Sequence, residues 1–141
     1  MGGAAYIDGV AYDQFNNFYF SPFELDGFIW DASEHYYQAS KFKDINYKRI
    51  INKERDPYQW WILGQSREHE LIDNFESEKE KLMYQANYAK YTQNPPLKQL
   101  LISTYNKPIY FYNSTSKWNK ANAEILTQLR QQFINESDTQ N

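Results

Sequence analysis

The chain has 141 residues and a net charge of −3, enough for one domain with a real core and too few for two. That charge provides no basic field of the kind that supplies non-specific nucleic-acid affinity, so any contact with nucleic acid has to be local. The absence of cysteine excludes disulfides and thiolate metal sites, and two histidines, His35 and His69, are too few for a convincing histidine-based metal centre. No metal and no cofactor is expected. No run of 18 apolar residues is present, so no membrane-spanning helix is expected. The opening MGGAAYIDG has neither the basic region nor the apolar core of a signal peptide. The expectation is one cytoplasmic domain over 1–141, with 1–5 and 136–141 flexible.

Residues 6–12 can form a first strand, and DQFNN is polar turn material. The aromatic run FYFSPFEL then meets Asp26-Gly27. Asp-Gly between apolar runs is a hairpin signal, because Gly takes the positive φ of a primed turn. Phe28-Ile29-Trp30 is the return strand. Asp31 follows as an N-cap, with Glu34 at capping-box spacing. In the helix that starts there, Glu34, Gln38 and Lys41 fall at i, i+4 and i+7 and share one face. Spacing alone leaves two readings open. In the plainer one Glu34 caps its own helix and Lys41 lies in solvent; in the other, a carboxylate, an amide and an ammonium line the mouth of an aromatic hairpin. His35 points about 100° away from Glu34 and reads as a structural hydrogen-bond partner.

A short helix is predicted over 46–53. Asp56-Pro57 starts another, with Asp as N-cap and Pro at N1, and Gly64 as its C′ stop. Its Trp60-Trp61 pair reads as core. The longest helix is predicted over 76–93, with Leu82, Met83, Ala86 and Ala89 at 3- and 4-residue steps. Its charged start, 76–81, reads as a solvated face. Asn94-Pro95-Pro96 ends it. LKQLLIS forms a short helix and IYFYN a strand. A last helix runs from about 119 to 134, burying Ala123, Leu126, Leu129 and Phe133, and ESDTQN is a polar tail. Several helices packed with a small antiparallel sheet or hairpin make an α+β fold. The 13 Tyr, 9 Phe and 4 Trp build either a core of rings or a ring-lined cleft able to stack a base.

With these residues in view, the chain resembles the NADAR family of YbiA-like proteins, as a divergent and shortened member. Asn16-Asn17-Phe18-Tyr19 and Ser21-Pro22-Phe23 resemble the family's opening elements. Ser33-Glu34-His35, Gln38-Ala39 and Lys41-Phe42 resemble its S-E-H-x-x-Q-A-x-K-F signature. Gly64 resembles the glycine of a G-R pair. Lys79, Met83, Ala86, Lys90 and Tyr91, with Gln93-Asn94-Pro95, resemble its long helix, and Leu97, Leu100 and Leu101 its next element. The resemblance implies an α+β fold and N-glycosidase chemistry at a ribose C1–N bond. The substrate classes it implies are ribosylamino-pyrimidine phosphates and ADP-ribose attached to a nucleobase, so nucleic acid enters only as an ADP-ribosylated substrate.

It further implies Glu34 and Lys41 as catalytic, with Lys41 neutralising phosphate or attacking C1 through a Schiff base. Asn17, Phe18, Tyr19, Trp30, Gln38, Gly64, Phe75, Lys79, Thr115 and Trp118 are the implied ligand contacts. Four departures bear on activity. Phe75 stands where the family has tryptophan, and Thr115 or Ser116 where it has an acid before Trp118. Gln65 replaces the arginine of the G-R pair, and the glycine-rich segment before the last helix is largely missing. Asp73, Glu76 or Glu78 is a candidate replacement acid. The open alternatives are an active N-glycosidase, a degenerate module that binds an ADP-ribose-like or cyclic nucleotide without turnover, and a protein-interaction domain using exposed aromatics.

Overall fold

The computed structural model describes residues 2–139. In chain order the elements are β1 (Ala5–Ile7), β2 (Val10–Tyr12), a 3-10 turn (Asp13–Phe15), β3 (Phe23–Leu25), β4 (Phe28–Trp30), α1 (Ser33–Ser40), α2 (Ile45–Lys53), α3 (Pro57–Gly64), α4 (Phe75–Gln93), α5 (Pro95–Ser103), β5 (Ile109–Phe111) and α6 (Ser116–Thr139). They make an α+β fold, as expected. Among the described residues no helix is long and apolar enough to cross a membrane. The chain forms two compact units, one Phe20–Lys90 and the other the stretches up to Tyr19 and from Tyr91 on.

In the unit built from the two ends, β1 pairs antiparallel with both β2 and β5, giving the order β2-β1-β5. The expected single strand over 6–12 is therefore a hairpin. Asp8 and Gly9 turn it with φ of 55° and 77°, the positive pair a two-residue primed turn needs. Ala5, Ile7, Ile109 and Phe111 are buried, as are Leu126, Leu129 and Phe133 of α6. Ala123, expected in that stripe, is only half-buried; Ala121 and Ile125 are buried instead. Helix α6 starts at Ser116 rather than near 119, because the Thr115 hydroxyl accepts the Trp118 N–H at 3.2 Å and caps the first turn. It also takes in residues 136–139 of the expected polar tail. Of the stretches expected to be flexible, Ala5 begins β1 and α6 takes in 136–139, while residues 1, 140 and 141 lie outside the described residues.

In the central unit, β3 and β4 pair with Phe23 opposite Trp30 and Leu25 opposite Phe28. Asp26 and Gly27 carry the turn at φ 55° and 84°. Phe23, Trp30, Tyr36, Ala39, Phe42, Tyr47 and Ile51 form one buried cluster with Ala86 and Ala89 of α4. Each large side chain in it contributes about 1.5–3 kcal/mol by leaving water. Helix α3 starts as read, and α2 begins at Ile45, one residue before the predicted start. The Asp44 carboxylate accepts the Asn46 N–H at 2.8 Å and the Asp56 carboxylate the Tyr58 N–H at 3.0 Å, with Pro57 in the first turn of α3. The tryptophan pair divides. Trp60 is core, its indole N–H donated to the Glu54 carbonyl at 2.8 Å, whereas Trp61 is 43% exposed.

Candidate active site

The hairpin delivers the chain directly into α1, and every residue of that helix is buried. The capping box anticipated at Asp31 and Glu34 does not form. Ala32 is the N-cap and offers no side-chain bond. Asp31 is occupied elsewhere: its carboxylate pairs with Arg55 at 2.9 Å, and its N–H donates to His35 Nδ1 at 3.0 Å. An opposite charge brought in by the fold competes successfully with the local cap. His35 is structural. Its Nε2 lies 2.7 Å from the Ile51 carbonyl and its ring stacks on Trp60 at 4.2 Å. Those partners require the neutral tautomer with the proton on Nε2, and burial holds the imidazole below its usual range.

Released from capping, Glu34 is fully buried. Its Oε1 accepts the Gln38 Nε2–H at 2.5 Å. Its Oε2 has no hydrogen-bond partner among the described residues. Burial raises the carboxyl above the ordinary carboxylate range; the Gln38 bond and the Lys41 charge act in the opposite direction. Two turns of spacing become one network here, because i, i+4 and i+7 lie on one side of the helix.

Lys41, at the C-cap of α1, is 4% exposed. Its Nζ donates to the Gly64 carbonyl at 3.4 Å and lies 5.4 Å from the Tyr37 ring centre and 5.8 Å from that of Phe75. Burial lowers its pKa to about 8, opposed by Glu34. A lysine so placed exchanges its proton near neutrality. Its backbone is fixed as well, since its carbonyl accepts the Ile72 N–H at 2.7 Å and Phe42 bridges to Leu71.

Gly64 ends α3 within the helix and is not a left-handed C′ residue; the positive-φ glycines are Gly3, Gly9 and Gly27. The need for glycine there is steric, because a Cβ would lie 1.9 Å from Gln38 Oε1. Phe75 opens α4, tilted against Tyr37 at 6.4 Å. Lys79 pairs with Glu76 at 2.7 Å, and both charges bear on Lys41. Of the candidate replacement acids, Asp73 pairs with Lys43 at 3.0 Å and is 85% exposed, while Glu76 is the one whose charge reaches Lys41 and Tyr37.

The structure thus gathers Glu34, Gln38, Lys41, Gly64, Phe75 and Lys79 in the central unit. It does not gather Trp30 with them. That ring is 2% exposed and packs on Phe28, His35 and Tyr36, with its indole N–H donated to the Leu25 carbonyl at 2.9 Å. Its polar atom is satisfied inside its own hairpin, so it is a core ring. Tyr37 was not singled out in the sequence, although it stands three residues after Glu34 and four before Lys41, which puts it on their face.

The remaining expected contacts lie in the unit built from the ends. Asn17 is buried and donates to Asn122 Oδ1 at 3.2 Å. Phe18 and Tyr19 are half-buried, beside an Asn16 side chain that accepts the Phe18 N–H at 3.0 Å. Trp118 is 9% exposed. Thr115 is exposed and caps α6, where the family's acid was sought.

Residues 6–118 match the profile of the NADAR domain. N-glycosidase YbiA of Escherichia coli (strain K12) is 40% identical over 93 residues, which is 66% of this chain and 58% of that protein. The Shigella flexneri YbiA matches to the same extent. Riboflavin biosynthesis protein VVA0006 of Vibrio vulnificus (strain YJ016) is 30% identical over 88 residues, 62% of this chain and 24% of its own length. The chain therefore spans little more than half of the YbiA proteins it matches. The NMR structure of E. coli YbiA superposes with a TM-score of 0.81 at 32% identity, covering 89% of this chain and 80% of that one. A profile match over most of the length, together with that superposition, means that this chain belongs to the NADAR domain family.

Proposed function

We propose that the protein is an N-glycosidase that hydrolyses a ribose C1–N bond, with Glu34 as the carboxylate that meets the reacting carbon. The observation that carries this reading is Glu34 itself, a fully buried carboxyl with one oxygen bonded and the other without a partner among the described residues. Cleavage sends the bond electrons to the leaving nitrogen and leaves an oxocarbenium-like sugar. A buried carboxylate stabilises that charge more than one in water does. Water adds at C1 and gives its proton to Glu34, which burial makes a stronger base than an exposed carboxylate. The leaving nitrogen takes a proton from solvent or from the Lys41 ammonium. Lys41 otherwise holds a phosphate, and Phe75 and Tyr37 offer ring faces beside it. Relatives named as N-glycosidases support the reaction class. The substrate we favour is a phosphorylated ribosylamino-pyrimidine or an ADP-ribosylated base; a relative named for riboflavin biosynthesis supports the first.

The test is to incubate the protein with ADP-ribosylated guanosine and with a ribosylamino-pyrimidine phosphate. Release of free base in excess over protein, stopped by Glu34→Gln, is the expected result; no release from any ribosyl–nitrogen substrate ends the reading.

Two observations favour a second reading, a module that binds such a nucleotide without turning it over. Thr115 has no charge and its hydroxyl serves a helix cap, while the Gln65 amide donates to the Trp61 carbonyl at 3.0 Å within its own helix. Neither supplies what an acid or an arginine would. Stoichiometric thermal stabilisation by ADP-ribose, with the ligand recovered intact, is the outcome specific to this reading.

A further inference from the structure

Two residues expected to touch ligand have geometry that assigns them another task. Gln38 is fully buried, and its amide donates to Glu34 Oε1 at 2.5 Å. Beneath that amide lies Gly64. A Cβ there would stand 1.9 Å from Gln38 Oε1 and 2.7 Å from its Cδ. With a backbone outside the left-handed region, Gly64 is required for the space it leaves to Gln38. Its carbonyl, at the C-terminal end of α3, also accepts the Lys41 ammonium at 3.4 Å. Carbonyls at a helix C-terminus lack intrahelical partners and favour cations.

We propose that Gln38, seated on Gly64, is a positioning residue: it engages Oε1 of Glu34 and so reserves Oε2 for the reacting carbon or its water, while the Gly64 carbonyl holds Lys41 on the same face. This rests on the proposed role of Glu34. It moves Gln38 and Gly64 out of the set of ligand contacts and makes α3 the support on which both reactive groups of α1 are registered. Displacing a reacting group by about 1 Å costs on the order of 10²-fold in rate, which sets the size of effect to look for.

The experiment compares wild type with Gln38→Met, which conserves volume and removes the donor; with Gly64→Ala, which keeps the donor and pushes it aside; and with the double variant. Glutamate labelled with 13C at the side-chain carboxyl is titrated by NMR, the Glu34 resonance being the one lost in Glu34→Gln. Removing a donor to the ionised form raises the Glu34 midpoint, so both single variants shift it upward, and the double variant shifts it no further than the larger single. With substrate, kcat falls by about 10–10²-fold while KM changes by less than about threefold. An unchanged midpoint, or a raised KM with kcat intact, overturns the proposal, because it would place the amide on the ligand. If Gln38→Met does not fold by circular dichroism, Gln38→Asn is used; it retracts the amide by one methylene and is expected to shift the midpoint the same way. The titration needs no substrate, so a wild type without turnover defeats the glycosidase reading and leaves this one to be judged on the midpoint.

Discussion

Helix α1 is buried on both sides, and its two faces are built differently. On one, Tyr36 and Ala39 enter the apolar cluster with Phe23, Trp30 and Phe42. The polar atoms there are satisfied: the Tyr36 hydroxyl donates to Asp26 Oδ2 at 2.7 Å and the Ser40 hydroxyl to the Tyr37 carbonyl at 2.7 Å. A cavity of about 240 Å³ beneath the hairpin is lined from this face, by residues that do not include Glu34, Gln38 or Lys41. On the other face stand a carboxyl, one of whose oxygens has no partner among the described residues, and an ammonium, both almost entirely shut from water. Leaving a buried acceptor unpaired costs about 1–3 kcal/mol. A face that served only to pack has no use for that cost. The contrast teaches where to look for function: in the part of a buried helix whose polar atoms are left incompletely paired.

The sharpest way to break the comparison is Glu34→Gln. Turnover is expected to fall by about 10²–10⁴-fold, read as base release under saturating substrate. The same change should make stability less dependent on pH. Glu34 has a folded pKa above its unfolded value, so its stabilising contribution is complete below the ordinary carboxylate range and is lost as pH rises through the raised value. Denaturant midpoints measured from acid to neutral pH should fall in wild type relative to the Gln variant.

Next in size is Trp30→Ala on the packing face. It should lower stability by about 3–5 kcal/mol in a urea titration, with residual activity following the folded fraction. Activity lost in excess of unfolding would return Trp30 to the ligand. Third is Lys41→Met. Removing a charge-assisted bond worth about 1.5–3 kcal/mol should raise KM for a phosphorylated substrate by about 10–10²-fold. In wild type that KM should climb as pH passes about 8, where the ammonium discharges, and the climb should vanish in the variant. The smallest effect belongs to Tyr36→Phe. About 0.5–1.5 kcal/mol of stability should go with the Asp26 bond, and kcat should stay at the wild-type value.

What was legible in the sequence was local. Asp26-Gly27 announced its hairpin, because a primed turn has few alternatives, and Asp56 and Pro57 sit where helix α3 begins. Asp8-Gly9 makes the same turn between strands of the same length, but it lacks the aromatic run that leads into Asp26-Gly27, and the segment read as one strand. Asp31 carried the right residue type for a cap, yet Arg55, 24 positions away, takes its carboxylate. Gly64 read as a helix stop because its steric partner, Gln38, lies 26 residues earlier and no spacing rule connects them. The shared face of Glu34, Gln38 and Lys41 was legible from periodicity. The burial of that face was not, since a charged face looks the same on paper whether it meets solvent or protein.

His35 adds a consequence for anyone measuring this helix in acid. Its ring is a latch that closes only when one nitrogen is bare and the other bears hydrogen, taking the Asp31 N–H on one side and facing the Ile51 carbonyl on the other. With its folded pKa depressed, the latch holds above the ordinary imidazole value and weakens as pH falls below it. Any acid-side change at this helix will therefore mix two events, protonation of the Glu34 carboxyl and loosening of the peg one residue along. A probe of the imidazole itself, such as the His35 Cε1 proton shift, is needed to tell them apart.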